Sequence, residues 1–275
     1  MFKTPASSIV VKYISIIVMI FNISIANGAP KQDDPEIKLM HWMLNNVKRE
    51  ALVSIPTTAK TNSTPIIFAF HGHGGNMTNL MKNRAYEKLW PEAIIVYPQG
   101  LNTPGQLTDP KGIRSGWQKG PGDMGDRDLI FFDAMLKTLK HDYKVDEKRI
   151  YATGHSNGGG FTYLLWATKG DQFAAFAPSA AVAGKILKLI KPKPAIHIMG
   201  ENDPLVKPFW QKLMCQEIMK INGCTKQGNF YAQNAIIYPS STHSPFVWYS
   251  HSGNHTFPSE ADEVIIKFFK NNSKP

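Results

Sequence analysis

At 275 residues, with 43% hydrophobic and 19% charged residues, the chain has the length of one α/β domain plus a leader and requires no second domain. Its formal net charge of +10 falls to +8 when Lys3 and Lys12 leave with the leader, and the excess is spread along the chain; the one dense basic run, residues 185–193, alternates with apolar residues and prolines. No basic stripe interleaved with aromatics is present, which excludes a nucleic-acid partner.

Residues 1–28 read as a secretory signal that is cleaved. Lys3 and Lys12 supply positive charge, residues 13–21 a short apolar core, and Ala26, Gly28 and Ala29 small residues for cleavage. The competing reading is an uncleaved anchor, but Asn22 and Ser24 interrupt the apolar run before it reaches the roughly 20 residues that span a bilayer. The expected location is therefore secreted or periplasmic, with residues 29–275 a single domain and no membrane anchor left after cleavage.

Short runs rich in Ile, Val, Ala and Phe then alternate with helical patterns, which predicts a mostly parallel sheet of about eight strands with helices on both faces. Residues 41–44 and 51–55 read as an opening antiparallel pair, and residues 65–70, 93–97, 150–153, 174–178, 195–199 and 235–238 as core strands. Helices are expected near 77–89, 128–143, 159–167, 208–221 and 260–271. Between strands, residues 98–125 are rich in Gly and Pro with little periodicity. A loop that long, leaving the carboxyl end of a strand, is expected to wall a ligand crevice, with Trp117 either a substrate contact or ordinary packing of the loop. Cys215 and Cys224, an even count in an exported chain, predict a disulfide, with two free thiols as the alternative.

The stretch that carries most chemistry is Gly154-His155-Ser156-Asn157-Gly158, between a strand pattern and a helix pattern. A serine on such a turn takes a strained backbone, flanking glycines clear space for it, and its hydroxyl then stands at a helix N-terminus. A helix-capping serine in a glycine-rich turn is the plainer reading, and the context favours a nucleophile. A serine nucleophile needs a base, a group that orients the base, and donors for the oxyanion. Asp203 follows one strand and His255 the last strands, giving the order Ser156, Asp203, His255; Glu201 stands as the rival acid, and His251 or His243 as rival bases. The oxyanion donors are expected to be the backbone N–H of Asn157 and one from the loop His71-Gly72-His73-Gly74-Gly75-Asn76. The pair His71 and His73 has no third ligand nearby, so neither a metal nor a cofactor is expected.

These residues, together with Tyr97-Pro98-Gln99-Gly100, residues 146–151, Gly200-Glu201-Asn202-Asp203, Asn222-Gly223-Cys224 and Gly253-Asn254-His255-Thr256-Phe257-Pro258, resemble secreted α/β-hydrolases of the polyhydroxybutyrate depolymerase and feruloyl esterase type over about residues 52–269. The resemblance implies an α/β-hydrolase fold and a serine esterase in which Ser156 is the nucleophile, His255 the base and Asp203 its orienting acid. It also implies that Asn157 and His73 or Gly74 supply the oxyanion N–H groups. Asn254 departs from that pattern, standing where a second glycine is expected before the histidine. The implied substrates are short-acyl, hydroxyalkanoate-oligomer or feruloyl-type esters. The alternatives are a serine peptidase of the prolyl-oligopeptidase kind and a binding protein on the same fold without catalysis.

Overall fold

The computed structural model describes Met1 and residues 34–105 and 108–275, so the expected signal at residues 1–28 lies, Met1 apart, outside the described residues. In chain order the elements are β1 (Glu36–Leu44), β2 (Val47–Ile55), β3 (Thr64–Phe70), α1 (Met77–Arg84), α2 (Tyr86–Leu89), β4 (Ile94–Pro98), β5 (Leu101–Asn102), β6 (Ser115–Gly116), α3 (Arg127–Asp142) and β7 (Val145–His155). They continue with α4 (Asn157–Lys169), β8 (Ala175–Ser179), β9 (Ala195–Gly200), α5 (Pro208–Ile221), β10 (Asn229–Ala232), β11 (Ala235–Tyr238), β12 (Phe246–His251) and α6 (Glu260–Lys270).

Ten of these strands form one sheet in the order β1-β2-β4-β3-β7-β8-β9-β12-β11-β10. Its centre, from β4 to β12, is parallel, and an antiparallel pair is added at each edge. This is the α/β-hydrolase arrangement: a mostly parallel sheet covered on both faces. The period-two rule places alternate residues of β3 in different layers. Ile66, Phe68 and Phe70 meet α3, α4 and α5 through Phe131, Phe132, Phe161 and Ile218, while Ile67 and Ala69 join the layer of Tyr86 from α2 and Ile265 and Phe269 from α6. Because both faces are buried, every residue of β3 and β4 is buried, which explains the apolar runs from Pro65 to Phe70 and from Ile94 to Pro98.

The structure differs from expectation in its opening strands, in two later strands and in one helix. The opening strands are longer than expected and close through Asn45-Asn46, both left-handed (φ 49° and 63°), the geometry a two-residue hairpin needs. β10 and β12 were not anticipated. β12 is a strand of mixed aromatic and polar residues that pairs with β9 on one side and β11 on the other, a pairing no local pattern encodes. The helix expected at 77–89 breaks at Ala85 (φ 45°), where the Tyr97 hydroxyl accepts the Tyr86 N–H at 3.0 Å and starts a separate α2.

Residues 98–125 carry the small β5–β6 hairpin and are tied to the body by buried polar contacts. Arg49 from β2 reaches Asp128 of α3 at 2.8 Å, with both side chains nearly sealed from solvent. Asp128 also accepts the Gln118 N–H at 2.8 Å, and Gln118 Oε1 caps the first turn of α3 by accepting from Asp128 N–H at 2.9 Å. Removing one charge of such a pair leaves the other buried without compensation. Asp128→Ala is therefore expected to lower unfolding free energy by about 3–5 kcal/mol in urea titrations; a loss under about 1 kcal/mol would show that the pair does not anchor this segment.

Candidate active site

β7 ends at His155, α4 begins at Asn157, and Ser156 turns between them with φ 56° and ψ −118°. A non-glycine residue rarely holds a positive φ, and the surroundings fix this one. Ser156 N–H donates to Ser179 O of β8 at 2.9 Å. Gly158 passes so close under β3 that a Cβ would overlap the Phe70 carbonyl oxygen, so only glycine lets α4 start there.

Asp203 lies in the loop after β9 and His255 in the loop after β12. The two loops meet because Gly200 admits the Asn254 carbonyl where a Cβ would stand. Asp203 is fully buried and its carboxylate accepts four bonds: Oδ1 from Leu205 N–H (2.8 Å) and Val206 N–H (2.9 Å), Oδ2 from Gln211 Nε2 (3.1 Å) and His255 Nδ1 (2.8 Å). A carboxylate only accepts, so Nδ1 of His255 carries the proton and Nε2 is free to accept. Nε2 lies 2.8 Å from Ser156 Oγ. The structure thus brings Ser156, His255 and Asp203 into one hydrogen-bonded series. The rivals stand outside it: Glu201 is exposed, His243 lies exposed in a turn with φ 55°, and Nδ1 of His251 accepts from Gly253 N–H at 3.1 Å.

Two expected site residues sit differently from expectation. The Gly74 N–H is occupied by Ser115 O at 2.7 Å, so of the loop pair His73 and Gly74 only His73 retains an N–H without an acceptor among the described residues. The His73 ring is held by Asp109, Nε2 to Oδ2 at 3.1 Å. Asn157, as the first residue of α4, has no intrahelical acceptor for its own N–H. Trp117 takes the packing alternative. Its ring is wholly buried, stacks on Phe161 at 5.3 Å between centroids, and donates Nε1–H to His71 O at 2.9 Å. Its backbone matters instead: Trp117 N–H donates to Asn157 Oδ1 at 2.7 Å and Trp117 O accepts from Asn157 Nδ2 at 3.0 Å, clamping the long loop onto the serine turn.

The cysteines are also corrected, for both are free thiols. Cys215 is wholly buried on α5 and belongs to the core. Cys224 lies beyond the helix end with its Sγ toward Ser244 O. Burial raises the Cys215 thiol well above its ordinary range.

His155, part of the pentapeptide but without an expected role, packs at a 45° tilt beside His255 with centroids 4.9 Å apart and has Nδ1 at 3.2 Å from Ser179 Oγ. Burial, then the neighbouring His255, lowers its pKa to about 4, so this ring adds no charge at neutral pH. His71, whose Nε2 accepts from Gly100 N–H at 3.0 Å, is lowered to about 4 by burial as well. A depression of about 400 Å³ lined by Glu147, Lys148, Asp171, Lys193 and Lys274 lies beside the amino ends of β7 and β9, the opposite end of the strands from Ser156.

Known proteins resemble the chain in sequence and in fold. The model of the prolyl oligopeptidase family matches residues 114–188, a window that holds Ser156 but neither Asp203 nor His255. A protein of Aspergillus flavus named "Probable feruloyl esterase C" is 24% identical over 226 residues, which cover 79% of this chain and 77% of that protein. Its counterpart of the same name in Aspergillus clavatus is 28% identical over 194 residues, covering 67% of this chain and 65% of the relative. Among solved structures, an acetyl xylan esterase from Aspergillus awamori superposes with a TM-score of 0.65 at 15% identity, over 85% of this chain and 99% of that one. The chain therefore has the fold of the α/β-hydrolases.

The buried histidines set a pH dependence of stability. His71, His155 and His197 take protons near 6.5 when unfolded but refuse them in the fold until about 4. The unfolded state then binds more protons, so stability is lost as the pH falls through that window. Asp262, raised to about 6 by burial, acts in the opposite sense and offsets part of the effect. The urea midpoint is expected to drop between pH 6.5 and 4; a constant midpoint would contradict the neutral buried rings.

Proposed function

We propose that the chain is an exported serine carboxylic ester hydrolase that works through an acyl-enzyme, with Ser156 as nucleophile, His255 as base and Asp203 as its orienting acid. The observation that carries this reading is the series Asp203 Oδ2, His255 Nδ1, His255 Nε2, Ser156 Oγ, with both links at 2.8 Å. In the first step Nε2 takes the hydroxyl proton as Oγ attacks the ester carbonyl carbon. The carbonyl π electrons move to oxygen, and the N–H groups of Asn157 and His73 receive that oxyanion. Collapse expels the alcohol, which takes the proton back from His255. Water, deprotonated by the same ring, then releases the acid and restores Ser156. The buried Asp203 charge stabilises the imidazolium in both steps without itself taking the proton.

The names of the Aspergillus relatives support feruloyl-type or acetyl esters, and short-acyl and hydroxyalkanoate-oligomer esters fit the same chemistry. Export to a secreted or periplasmic location accords with residues 1–28, and no described helix is long and apolar enough to cross a membrane. The partial match to the prolyl oligopeptidase family favours a second reading, peptide cleavage, but its window covers the serine turn that esterases and peptidases of this fold share.

The test is hydrolysis of p-nitrophenyl acetate, butyrate and octanoate beside a peptide p-nitroanilide. Esters are expected to turn over, and Ser156→Ala to lower kcat by at least about a thousandfold. Retained turnover in Ser156→Ala would overturn the reading, and comparable rates on the amide would favour the peptidase.

A further inference from the structure

The hydrogen-bond series does not end at Asp203. Gln211, in the first turn of α5, donates Nε2–H to Asp203 Oδ2 (3.1 Å) and to Val206 O (2.7 Å). Its Oε1 lies 3.0 Å from His197 Nε2, and His197 Nδ1 lies 2.9 Å from the hydroxyl of Tyr163. Tyr163 sits on α4, two turns beyond Ser156, and His197 in the middle of β9. Tyr163, His197 and Gln211 are all wholly buried.

The direction of every link is fixed by chemistry. A carboxylate and a peptide carbonyl only accept, so the amide nitrogen of Gln211 faces them and its oxygen faces His197. His197 Nε2 must then carry the proton. Burial lowers the His197 pKa to about 4, against the Gln211 contact that raises it, so the ring is neutral and Nδ1 accepts from the tyrosine. Three donors in a row point toward Asp203: Tyr163 O–H to His197, His197 N–H to Gln211, Gln211 N–H to the carboxylate. Neutral donors stabilise the buried charge while leaving it whole for His255, which a cation in the same place would not do. Gln211 and His255 share Oδ2, so the amide also sets the lone-pair direction left to the histidine.

We propose that Gln211 is a positioning residue of the Ser156 site, holding Asp203 for His255 at the end of a one-way donor chain that begins at Tyr163 and runs through His197. Its kinetic consequence rests on the ester-hydrolase reading; its structural consequence does not. The chain also ties together the two helices that follow the serine and the aspartate.

Gln211→Met keeps the volume and removes both polar atoms. With the full chain folded by circular dichroism, kcat on p-nitrophenyl acetate is expected to fall about 10- to 100-fold with KM unchanged, the rate equivalent of one hydrogen bond to a charged group. Tyr163→Phe is expected to lower kcat by a few fold, about one neutral hydrogen bond, in the wild-type background and not in Gln211→Met, because its effect passes through the amide. If Gln211→Met does not fold, the Tyr163→Phe effect on kcat against KM decides alone. A loss of thermal stability in either variant with kcat untouched would overturn the proposal. If the wild-type chain turns over no ester, the esterase reading fails, and the low-field proton NMR resonance of the His255 Nδ1–H decides this one. That resonance is expected to shift or vanish in Gln211→Met and to persist in Ser156→Ala; an unchanged resonance in Gln211→Met would overturn the proposal.

Discussion

Ser156 holds its backbone at φ 56°, a conformation that costs a non-glycine residue about 1–3 kcal/mol and persists only where its neighbours leave no alternative. Those neighbours come from every part of the fold. β8 takes the Ser156 N–H, β3 passes over Gly158, and the long loop clamps Asn157 through the backbone of Trp117. The turn is therefore a product of the sheet order: with β7 between β3 and β8, these contacts close on the one turn formed by Ser156, Asn157 and Gly158. From it follows the position of the hydroxyl, standing beyond the carboxyl ends of the parallel strands, where the loops after β9 and β12 also arrive.

A second constraint is electrostatic. The site holds a buried carboxylate, and its charge is stabilised by four N–H donors while the nearby rings of His155 and His197 stay neutral. An additional positive group against Asp203 would compete with His255 for the same charge. Burial does two things at once here: it keeps the surrounding imidazoles uncharged, and it makes each hydrogen bond to the carboxylate stronger than it would be in water.

Much of this was legible in the sequence because it is local. The serine turn shows as a strand pattern, a glycine-flanked serine and a helix pattern in succession, and Asp203 and His255 each follow a strand in the order that this fold uses. What was not legible depends on contacts between distant segments. β12 is recognisable only as the strand between β9 and β11. Trp117, in a Gly-rich loop, reads from sequence as either a substrate contact or packing, and only the slot formed by the distant Phe70 and Phe161 decides for packing. Gly74 offers an apparently free N–H until Ser115, forty-one residues on, takes it. The even cysteine count suggests a pair, but Cys215 is buried on α5 and Cys224 lies beyond the helix end, and both are free thiols. His197 and Gln211 sit in runs that read as plain strand and helix, and their polarity finds its use only across α4, β9 and α5.

The central claim is that this strained serine, backed by His255 and Asp203, is an activated nucleophile. Intact-mass spectrometry of the full chain after exposure to a fluorophosphonate, followed by peptide mapping, tests it most directly. The account predicts a single adduct, on Ser156, that does not form in His255→Ala. No adduct on the wild-type chain, or one on another residue, would contradict it.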